Sequence, residues 1–314
     1  MPACRPSALT RPIFGLTGFV ILLTFYKFVT KNEGAETNKK YTLNDVAKMN
    51  ALPKTNQEFD IYSLSKFPIP ISPNKTVKRE YRIDGKHNLA YCPTPKTMST
   101  RIITILDEIS PPNKFVTEED FAENYGWWRY LAIVRNPTDR FLSGFLDRCV
   151  AKKSFCGGCR ANMTCYLEKL YWVYRIYVVD ENRPPDVDGH HLAPQVWFCR
   201  IKENVKNRQI IRHMSPTFKE HYKFFFESSP KVMESYELTQ VIRMLAFKTS
   251  HSTGHSQIRP FLERALLSNP YALHLLKMIY YWDYILLKYP FPRLNDHNTA
   301  FRTDVWSDDK IEDR

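Results

Sequence analysis

The chain has 314 residues, of which 43% are hydrophobic and 14% aromatic, so it has enough apolar sequence for a large folded core and is not disordered throughout. Its formal net charge of +12 favours an anionic partner, which can be nucleic acid, anionic lipid, an acidic polysaccharide or a phosphorylated cofactor; the alternative is a charge that serves only solubility. Nucleic acid is disfavoured, because no cluster of basic residues falls on a recognisable nucleic-acid-binding module.

An apolar segment near the N-terminus, Ile13–Tyr26, predicts a membrane anchor. It reaches the roughly 17–25 residues of a membrane span if it is extended past Lys27 to Val29. No small-x-small cleavage site follows it, which favours an uncleaved anchor over a cleaved signal peptide; a soluble core helix is the third interpretation. No acidic residue precedes Arg11, which favours a cytosolic N-terminus. The sequence therefore predicts a single-pass type II protein with a lumenal body, a cytosolic tail at 1–12 and an anchor at 13–30.

Cysteine usage agrees with a lumenal body. Six cysteines follow the anchor: Cys92, Cys149, Cys156, Cys159, Cys165 and Cys199. They could form three disulfides, and the sequence leaves their pairing open. The segment Cys156-Gly157-Gly158-Cys159 could instead be half of a zinc site, but no second CxxC or HxxxH accompanies it, which favours disulfides. The sequons at Asn74 and Asn162 are compatible with glycosylation in a secretory lumen.

The residues after the anchor are polar and rich in Lys, Asn and Pro, which predicts a stem over 31–80. We expect the folded domain at 81–294 and a polar tail at 295–314. Near the start of this domain, Asn88–Cys92 is a short apolar strand candidate. A loop at 93–97 follows, and then Met98–Ile109, whose apolar residues suit a buried helix.

A second strand-turn-helix unit follows downstream. Leu131–Val134 suits a buried strand, Asn136-Pro137 breaks the apolar run, and apolar residues then repeat at helical spacing. Arg135 falls at the carboxyl end of the strand and Ser143 lies further into the helix. Open α/β sheets bind anionic ligands at the carboxyl ends of their strands, so we expect a phosphate here.

Further elements follow from apolar periodicity and capping residues. A short strand is expected at Gln209–Ile211. Helices are expected at 117–126, Met163–Val179, Thr217–Ser228, Ser235–Phe247 and Gln257–Leu267, and from Pro270 to about Lys288. The last helix is apolar but carries charged residues, so it is predicted to be a core helix rather than a second membrane span.

Two segments, one after each of the first two predicted strands, match known nucleotide-binding motifs. Pro95-Lys96-Thr97-Met98-Ser99-Thr100 is similar to the 5′-phosphosulfate loop, PK-x-x-[SC]-T, of sulfotransferases that use the donor 3′-phosphoadenylyl sulfate (PAPS). Arg135-Asn136-Pro137-Thr138-Asp139-Arg140-Phe141-Leu142-Ser143 is similar to their 3′-phosphate motif, RxPxxRxxS. His191-Leu192-Ala193-Pro194-Gln195 and Tyr280-Tyr281-Trp282-Asp283-Tyr284 also resemble family landmarks. The chain looks like the Golgi carbohydrate sulfotransferases of the chondroitin 4-O and natural-killer-epitope type, including their nematode branch.

The resemblance implies an α/β architecture, the P-loop-NTPase-like sulfotransferase fold, with a central, mostly parallel sheet flanked by helices. It also implies a Golgi enzyme that transfers sulfate from PAPS to a glycan hydroxyl, with the 4-hydroxyl of GalNAc in chondroitin as the favoured acceptor. The alternative is a catalytically silent, membrane-anchored paralogue that binds glycan or cofactor without turnover. A P-loop kinase is disfavoured, because the chain has no G-x-x-x-x-G-K-[ST] motif and only 10 glycines.

The first motif, by this resemblance, binds the 5′ end of the donor. Lys96 would neutralise charge that develops on the leaving 5′-phosphate. The backbone N–H groups of Thr97, Met98, Ser99 and Thr100, with the hydroxyls of Ser99 and Thr100, would cradle that phosphate at a helix N-terminus. The alternative for Lys96 is a solvated loop lysine. Met98 departs from the family pattern, since many members have a small residue or glycine there.

The second motif would bind the 3′-phosphate. Arg135 supplies a forked and permanently charged group, and Ser143 adds a directional hydrogen bond. The alternative for Arg135 is a surface ion pair with Asp139 or Glu118. Sulfuryl transfer does not require a metal, and none is expected.

The acceptor hydroxyl needs a general base with a pKa near neutrality. His191 is the favoured candidate, in a polar loop expected at 186–191, because it aligns with the family's H-x-x-P segment. Glu123, Asp147 and His255 are the rivals, and a structural or exposed histidine is an equally open interpretation of His191. An acidic glycan acceptor would be held by basic residues outside the motifs, namely Arg148, Lys152, Lys153 and Arg160.

Overall fold

A five-stranded sheet forms the centre of the protein in the computed structural model, which describes residues 41–51, 67–70, 80–109, 114–152, 156–180, 182–199, 201–204, 210–212 and 257–296. Its strands lie in the order β3-β1-β2-β4-β5, where β1 is Glu80–Asp84, β2 is Leu89–Cys92, β3 is Lys114–Thr117, β4 is Arg129–Val134 and β5 is Ile210–Arg212. The three strands expected from the sequence are confirmed to within two residues. β2, β4 and β5 are parallel neighbours, whereas β1 is antiparallel to both β2 and β3. The described sheet therefore has two parallel and two antiparallel strand pairings, and the prediction of a mostly parallel sheet is wrong.

The antiparallel part of the sheet begins with a hairpin that joins β1 to β2. The turn contains Gly85, and the carboxylate of Asp84 accepts hydrogen bonds from the backbone N–H groups of Lys86, at 3.0 Å, and His87, at 3.1 Å. An Asp-Gly pair between two short apolar segments is a strong hairpin signal. The sequence therefore contained a signal for β1, although no strand was predicted where the stem ends and the folded domain begins.

Helices cover both faces of the sheet, because the side chains of each central strand alternate between two buried environments. On one face Leu131 and Ile133 pack with Ile102 and Leu106; on the other, Ala132 and Val134 belong to the larger core cluster. The helices are α1 (Leu43–Met49), α2 (Ser99–Ile109), α3 (Glu118–Asn124), α4 (Pro137–Phe145), α5 (Met163–Val179), α6 (Val187–Leu192), α7 (Ile201–Asn204), α8 (Ile258–Ser268), α9 (Pro270–Ile279) and α10 (Tyr281–Leu286). α2 covers the first face, and α4, α5, α8 and α9 contribute to the second.

The structure confirms the helices predicted near 98–109, 117–126, 163–179 and 257–267. Those predicted at Thr217–Ser228 and Ser235–Phe247 lie outside the described residues. The single helix predicted from Pro270 to Lys288 is wrong, because Tyr280, with φ −105° and ψ 20°, leaves the helical conformation and separates α9 from α10. This break lets the Tyr280 hydroxyl donate a hydrogen bond of 2.7 Å to the carbonyl of Leu192.

The predicted stem at 31–80 contains α1, which the sequence pattern did not indicate. α1 begins with a capping box between Thr42 and Asp45, and Val46 is fully buried in the main core. No helix within the described ranges is both long and apolar enough to cross a membrane. The predicted cytosolic tail and anchor, and the predicted tail beyond residue 296, fall outside those ranges.

Three disulfides use all six of the cysteines expected to pair: Cys92–Cys199, Cys149–Cys156 and Cys159–Cys165. The zinc half-site considered for Cys156 and Cys159 is therefore wrong, because zinc binds thiolates and both sulfurs are oxidised. Asn162 of the second sequon caps α5, where its side-chain oxygen accepts a hydrogen bond of 3.0 Å from the N–H of Cys165.

Candidate functional site

Lys96 and Arg135 lie next to each other at the carboxyl ends of two central strands. The loop at 93–98 follows β2 and Arg135 follows β4, and because these strands are parallel neighbours, both residues lie at their carboxyl ends. The Nη1 atom of Arg135 donates a hydrogen bond of 3.2 Å to the carbonyl of Lys96. The fold thus brings together the two motifs that are 39 residues apart in sequence.

The backbone of the Lys96 loop has an unusual conformation. Lys96, with φ 65°, and Met98, with φ 67°, both lie in the left-handed region. The Thr97 side chain between them is buried and its hydroxyl donates to the carbonyl of Thr94 at 2.8 Å. Ser99 begins α2 directly after the loop. Glycine adopts positive φ without steric cost, so the conformation of Met98 gives a physical reason why a residue without a side chain would fit this position.

The Lys96 side chain forms an ion pair with Asp147. Asp147 lies in a π-helix, Leu146–Ala151, that continues α4, and the Nζ atom of Lys152 is 3.4 Å from the same carboxylate oxygen. Burial lowers the pKa of Lys96, and Asp147 opposes this effect. Burial raises the pKa of Asp147, but the hydrogen bond and charge of Lys96, together with Lys152, outweigh burial and hold that pKa below its usual value. Lys96 is therefore a half-buried, paired cation, and the alternative of a solvated loop lysine is wrong.

One face of α4 and its π-helical extension follows the Lys96 loop. Arg140, Gly144 and Asp147 lie about one turn apart along it. A Cβ atom at Gly144 would be 2.2 Å from Leu192 Cδ2 and 3.7 Å from Lys96 Cγ. Glycine at this position therefore permits α6 to pack closely on α4 beside the loop.

Arg140 is fully buried and donates hydrogen bonds to three backbone carbonyls. Its Nε bonds to Pro95 O at 2.9 Å, its Nη1 to Ala193 O at 2.8 Å and its Nη2 to His191 O at 3.2 Å. One guanidinium group therefore connects the Lys96 loop to the segment that contains His191. Sequence reasoning assigned no role to Arg140, although it is the second arginine of the motif quoted above.

The backbone of Arg135 is held by Gln195. The N–H of Arg135 donates to Gln195 Oε1 and the Gln195 Nε2 donates to the carbonyl of Arg135, both at 2.8 Å. The fully buried carboxylate of Asp283 in turn accepts from the N–H groups of Gln195, at 2.8 Å, and Val196, at 3.0 Å, and from Gln195 Nε2 at 3.3 Å. The segment that contains Gln195 and the segment that contains Asp283 therefore contact each other next to Arg135, and together they fix the position of its backbone.

This arrangement gives a pH-dependent prediction for the isosteric variant Gln195→Glu. The introduced carboxylate would face the buried carboxylate of Asp283, so its pKa in the folded state should rise above its unfolded value. The variant should then lose about 2–3 kcal/mol of unfolding free energy at pH 8 and less at pH 5, where the introduced group is closer to protonation. Urea denaturation of both proteins at the two pH values measures this difference, and an equal loss at both would contradict the contact.

The other predicted site residues occupy several places. Ser143 is buried on α4, in line with Arg140 and Asp147. His191 is half-buried and lies in the helix α6, not in a loop, because Asp186 caps that helix through a 2.7 Å hydrogen bond from the N–H of Gly189. Glu123 is exposed on α3, which packs on β1 and β3 at the opposite edge of the sheet from β5. His255 lies outside the described residues.

Arg135 forms the ion pair with Asp139 that was considered as its alternative role. The pair is not a surface contact, since the two side chains are only 15% and 14% exposed. Burial lowers the pKa of Arg135 to about 10, so the guanidinium remains charged at neutral pH. A buried, charged group at a strand's carboxyl end suits an anionic ligand.

Residues 79–290, about two thirds of the chain, match the family model "Sulfotransferase family". A Caenorhabditis elegans relative called uncharacterized protein C18B2.2 is 27% identical over 71% of this chain and 72% of its own. The putative sulfotransferase vep-2 of the same organism is 25% identical over 59% and 68%, and its carbohydrate sulfotransferase chst-1 is 24% identical over 85% and 92%. No solved structure matches the chain significantly.

Proposed function

Because the chain belongs to the sulfotransferase family, and is a sulfotransferase, we propose that it transfers sulfate from PAPS to a hydroxyl group of a glycan. We propose the 4-hydroxyl of GalNAc in chondroitin as the acceptor. A C. elegans relative is named a carbohydrate sulfotransferase, which supports a glycan acceptor in general; chondroitin rests on the motif resemblance.

One observation carries this proposal: the Lys96 loop and Arg135 lie side by side at the carboxyl ends of adjacent parallel strands and are joined by a hydrogen bond. Two cationic groups in one partly buried place suit a donor that has anionic groups at both its 5′ and 3′ ends. Both cations now contact carboxylates, Asp147 and Asp139. Donor phosphates would therefore share these arginine and lysine groups with their present partners.

The residues of this site fit the roles that the motifs imply. When bound, the donor supplies an activated sulfuryl group on a phosphosulfate anhydride. Lys96 would hold the 5′ side of the donor and stabilise negative charge there, in a half-buried position where electrostatic interactions are stronger than in water. Arg135, with its backbone fixed by Gln195, would hold the 3′-phosphate, and Ser143 would add a hydrogen bond from α4.

We assign the general base to His191. Arg140 holds the His191 carbonyl and the Pro95 carbonyl with one guanidinium group, so the backbone of the proposed base lies next to the Lys96 loop. Asp147 is a poorer proton acceptor, because Lys96 and Lys152 hold its pKa down.

Replacement of His191 by Asn should lower the transfer rate by about 10²–10⁴-fold and remove the acidic limb of the pH–rate profile. An unchanged rate and profile would remove His191 from this role.

Basic residues outside the two motifs supply a candidate surface for an acidic acceptor. The Lys152 side chain is 49% exposed and Arg160 is also exposed. Arg148 is less suited, because it forms a 2.6 Å ion pair with Asp188. Lys153 lies outside the described residues. Lys152 and Arg160 are therefore the proposed glycan contacts.

We also propose that the protein is a type II membrane protein of the Golgi with its catalytic domain in the lumen. Three disulfides support an oxidising compartment, and the apolar segment 13–30 supports an anchor. A C-terminal epitope tag should resist protease in intact Golgi vesicles and become sensitive after detergent. Digestion in intact vesicles would contradict this orientation.

The function itself is tested by incubation of the purified full-length chain with radiolabelled PAPS and a panel of desulfated glycans that includes chondroitin. Label should appear on chondroitin, at the 4-position of GalNAc. Label on another glycan would support sulfotransferase activity but identify a different acceptor. Tight binding of 3′,5′-ADP without transfer to any glycan would favour the silent paralogue over the enzyme.

A further inference from the structure

A second arginine lies next to Arg135. Arg259, in the first turn of α8, contacts one carboxylate oxygen of Asp139 through its Nη2 atom, and Arg135 contacts the other oxygen through its Nε atom. Arg135, Asp139 and Arg259 have side-chain exposures of 15%, 14% and 12%. A single, largely buried carboxylate therefore bridges two guanidinium groups.

This contact leaves part of the Arg259 guanidinium without an acceptor. Its Nη1 atom is buried and has no hydrogen-bond partner within the described part of the chain. Folded proteins rarely leave a buried donor unpaired, and a charged donor is the least favourable case. A planar, forked donor of this kind matches the oxygens of a phosphate group.

The charges of the two arginines also favour an anion. Burial, followed by repulsion from Arg135, lowers the pKa of Arg259 to about 10, and Glu263 opposes these effects. Arg259 and Arg135 nevertheless both stay protonated at neutral pH. Adjacent cations that repel each other gain most from a ligand that carries two negative charges, as a phosphate monoester does.

We propose that Arg259 binds the 3′-phosphate of the sulfate donor together with Arg135. This inference rests on the proposed function. The hydrogen bond from Arg135 to the Lys96 carbonyl places the arginine pair beside the loop that would hold the 5′ side, so one nucleotide can reach both. The competing explanation is that Arg259 is structural and only ties α8 to α4 through Asp139.

Two nucleotides that differ only in the 3′-phosphate distinguish these explanations. The full-length chain, purified in detergent, is titrated calorimetrically with 3′,5′-ADP and with 5′-AMP, and the wild type should bind the first more tightly. Arg259→Gln should weaken 3′,5′-ADP binding about tenfold to a hundredfold and 5′-AMP binding less than about twofold, the effect of one lost charge-assisted hydrogen bond. Arg264→Gln is the matched control, since Arg264 is exposed on the same helix, and it should change neither affinity.

The outcomes separate this inference from the function on which it rests. The Arg259→Gln variant should first be shown to melt at the same temperature as the Arg264→Gln control. If it then binds both nucleotides equally more weakly than the wild type, or binds neither more weakly, the role of Arg259 is overturned and the donor assignment stays intact. A wild-type protein with no preference for 3′,5′-ADP would overturn the proposed donor and this inference together. If Arg259→Gln does not fold, Arg259→Lys replaces it. That variant keeps the positive charge but lacks the planar, forked guanidinium group, so it should lose part of the preference for 3′,5′-ADP over 5′-AMP.

Discussion

Replacement of Lys96 by alanine should slow sulfate transfer by about a hundredfold to a thousandfold, the usual effect of removing one group that stabilises transition-state charge. Lys96 is the cation at the carboxyl end of β2, and Asp147 keeps it charged and oriented. Its effect should be larger on kcat than on the dissociation constant of 3′,5′-ADP, because the charge that it stabilises develops during the transfer step. Initial rates with labelled PAPS and calorimetric titration measure the two quantities.

Lys288→Ala is a matched control for this substitution. Lys288 also has a positive φ, 55°, but is exposed, so alanine meets the same backbone constraint there without loss of a site cation. The control should keep the wild-type rate. A Lys96→Ala protein that is folded, by its melting temperature, and as active as the Lys288→Ala protein would show that Lys96 has no catalytic role.

Replacement of Arg140 by methionine should lower the free energy of unfolding by about 3–5 kcal/mol, a large share of the stability of a typical domain. Methionine fills a similar volume but donates no hydrogen bond, so the carbonyls of Pro95, Ala193 and His191 would lose their donor. The buried carboxylate of Asp283 would also lose the favourable charge of Arg140. Urea denaturation followed by tryptophan fluorescence measures this loss.

Arg293→Met is the corresponding surface control. Arg293 is exposed, so its replacement should change the unfolding free energy by no more than about 0.5 kcal/mol. Equal stability of the Arg140→Met and Arg293→Met proteins would show that the three carbonyls find other donors, and that Arg140 does not connect the two segments.

The sequence predicted the central part of the fold because its signals there are local. β2, β4 and α5 have clear apolar patterns, and all three were placed within two residues. β1 and β3 were not predicted, since each is short and mixes charged with apolar residues. Only β1 has a local signal, the Asp84-Gly85 turn that follows it, whereas β3 is a strand because it pairs with β1. The break at Tyr280 was equally invisible, because no glycine or proline marks it and a tertiary hydrogen bond stabilises it.

The site was predictable only in part, for a related reason. The positions of Lys96 and Arg135 follow from the rule that ligands bind at the carboxyl ends of parallel strands. The partners of these residues are distant in sequence: Asp147 is 51 residues from Lys96, and Gln195 is 60 residues from Arg135. Spacing cannot indicate such contacts, so Arg140, Gln195 and Asp283 acquired roles only when the chain was folded.

The Cys92–Cys199 disulfide determines how the protein has to be made in the laboratory. Cys92 directly precedes the loop of Lys96, and Cys199 follows the segment of His191 and Gln195, so one covalent bond holds both sides of the site. A bacterial cytosol keeps thiols reduced, and a chain produced there would lack this bond. Inactivity of such material would report its oxidation state and not its catalytic capacity. Expression in insect or mammalian cells, through the secretory route, is therefore the sound starting point for every assay proposed above.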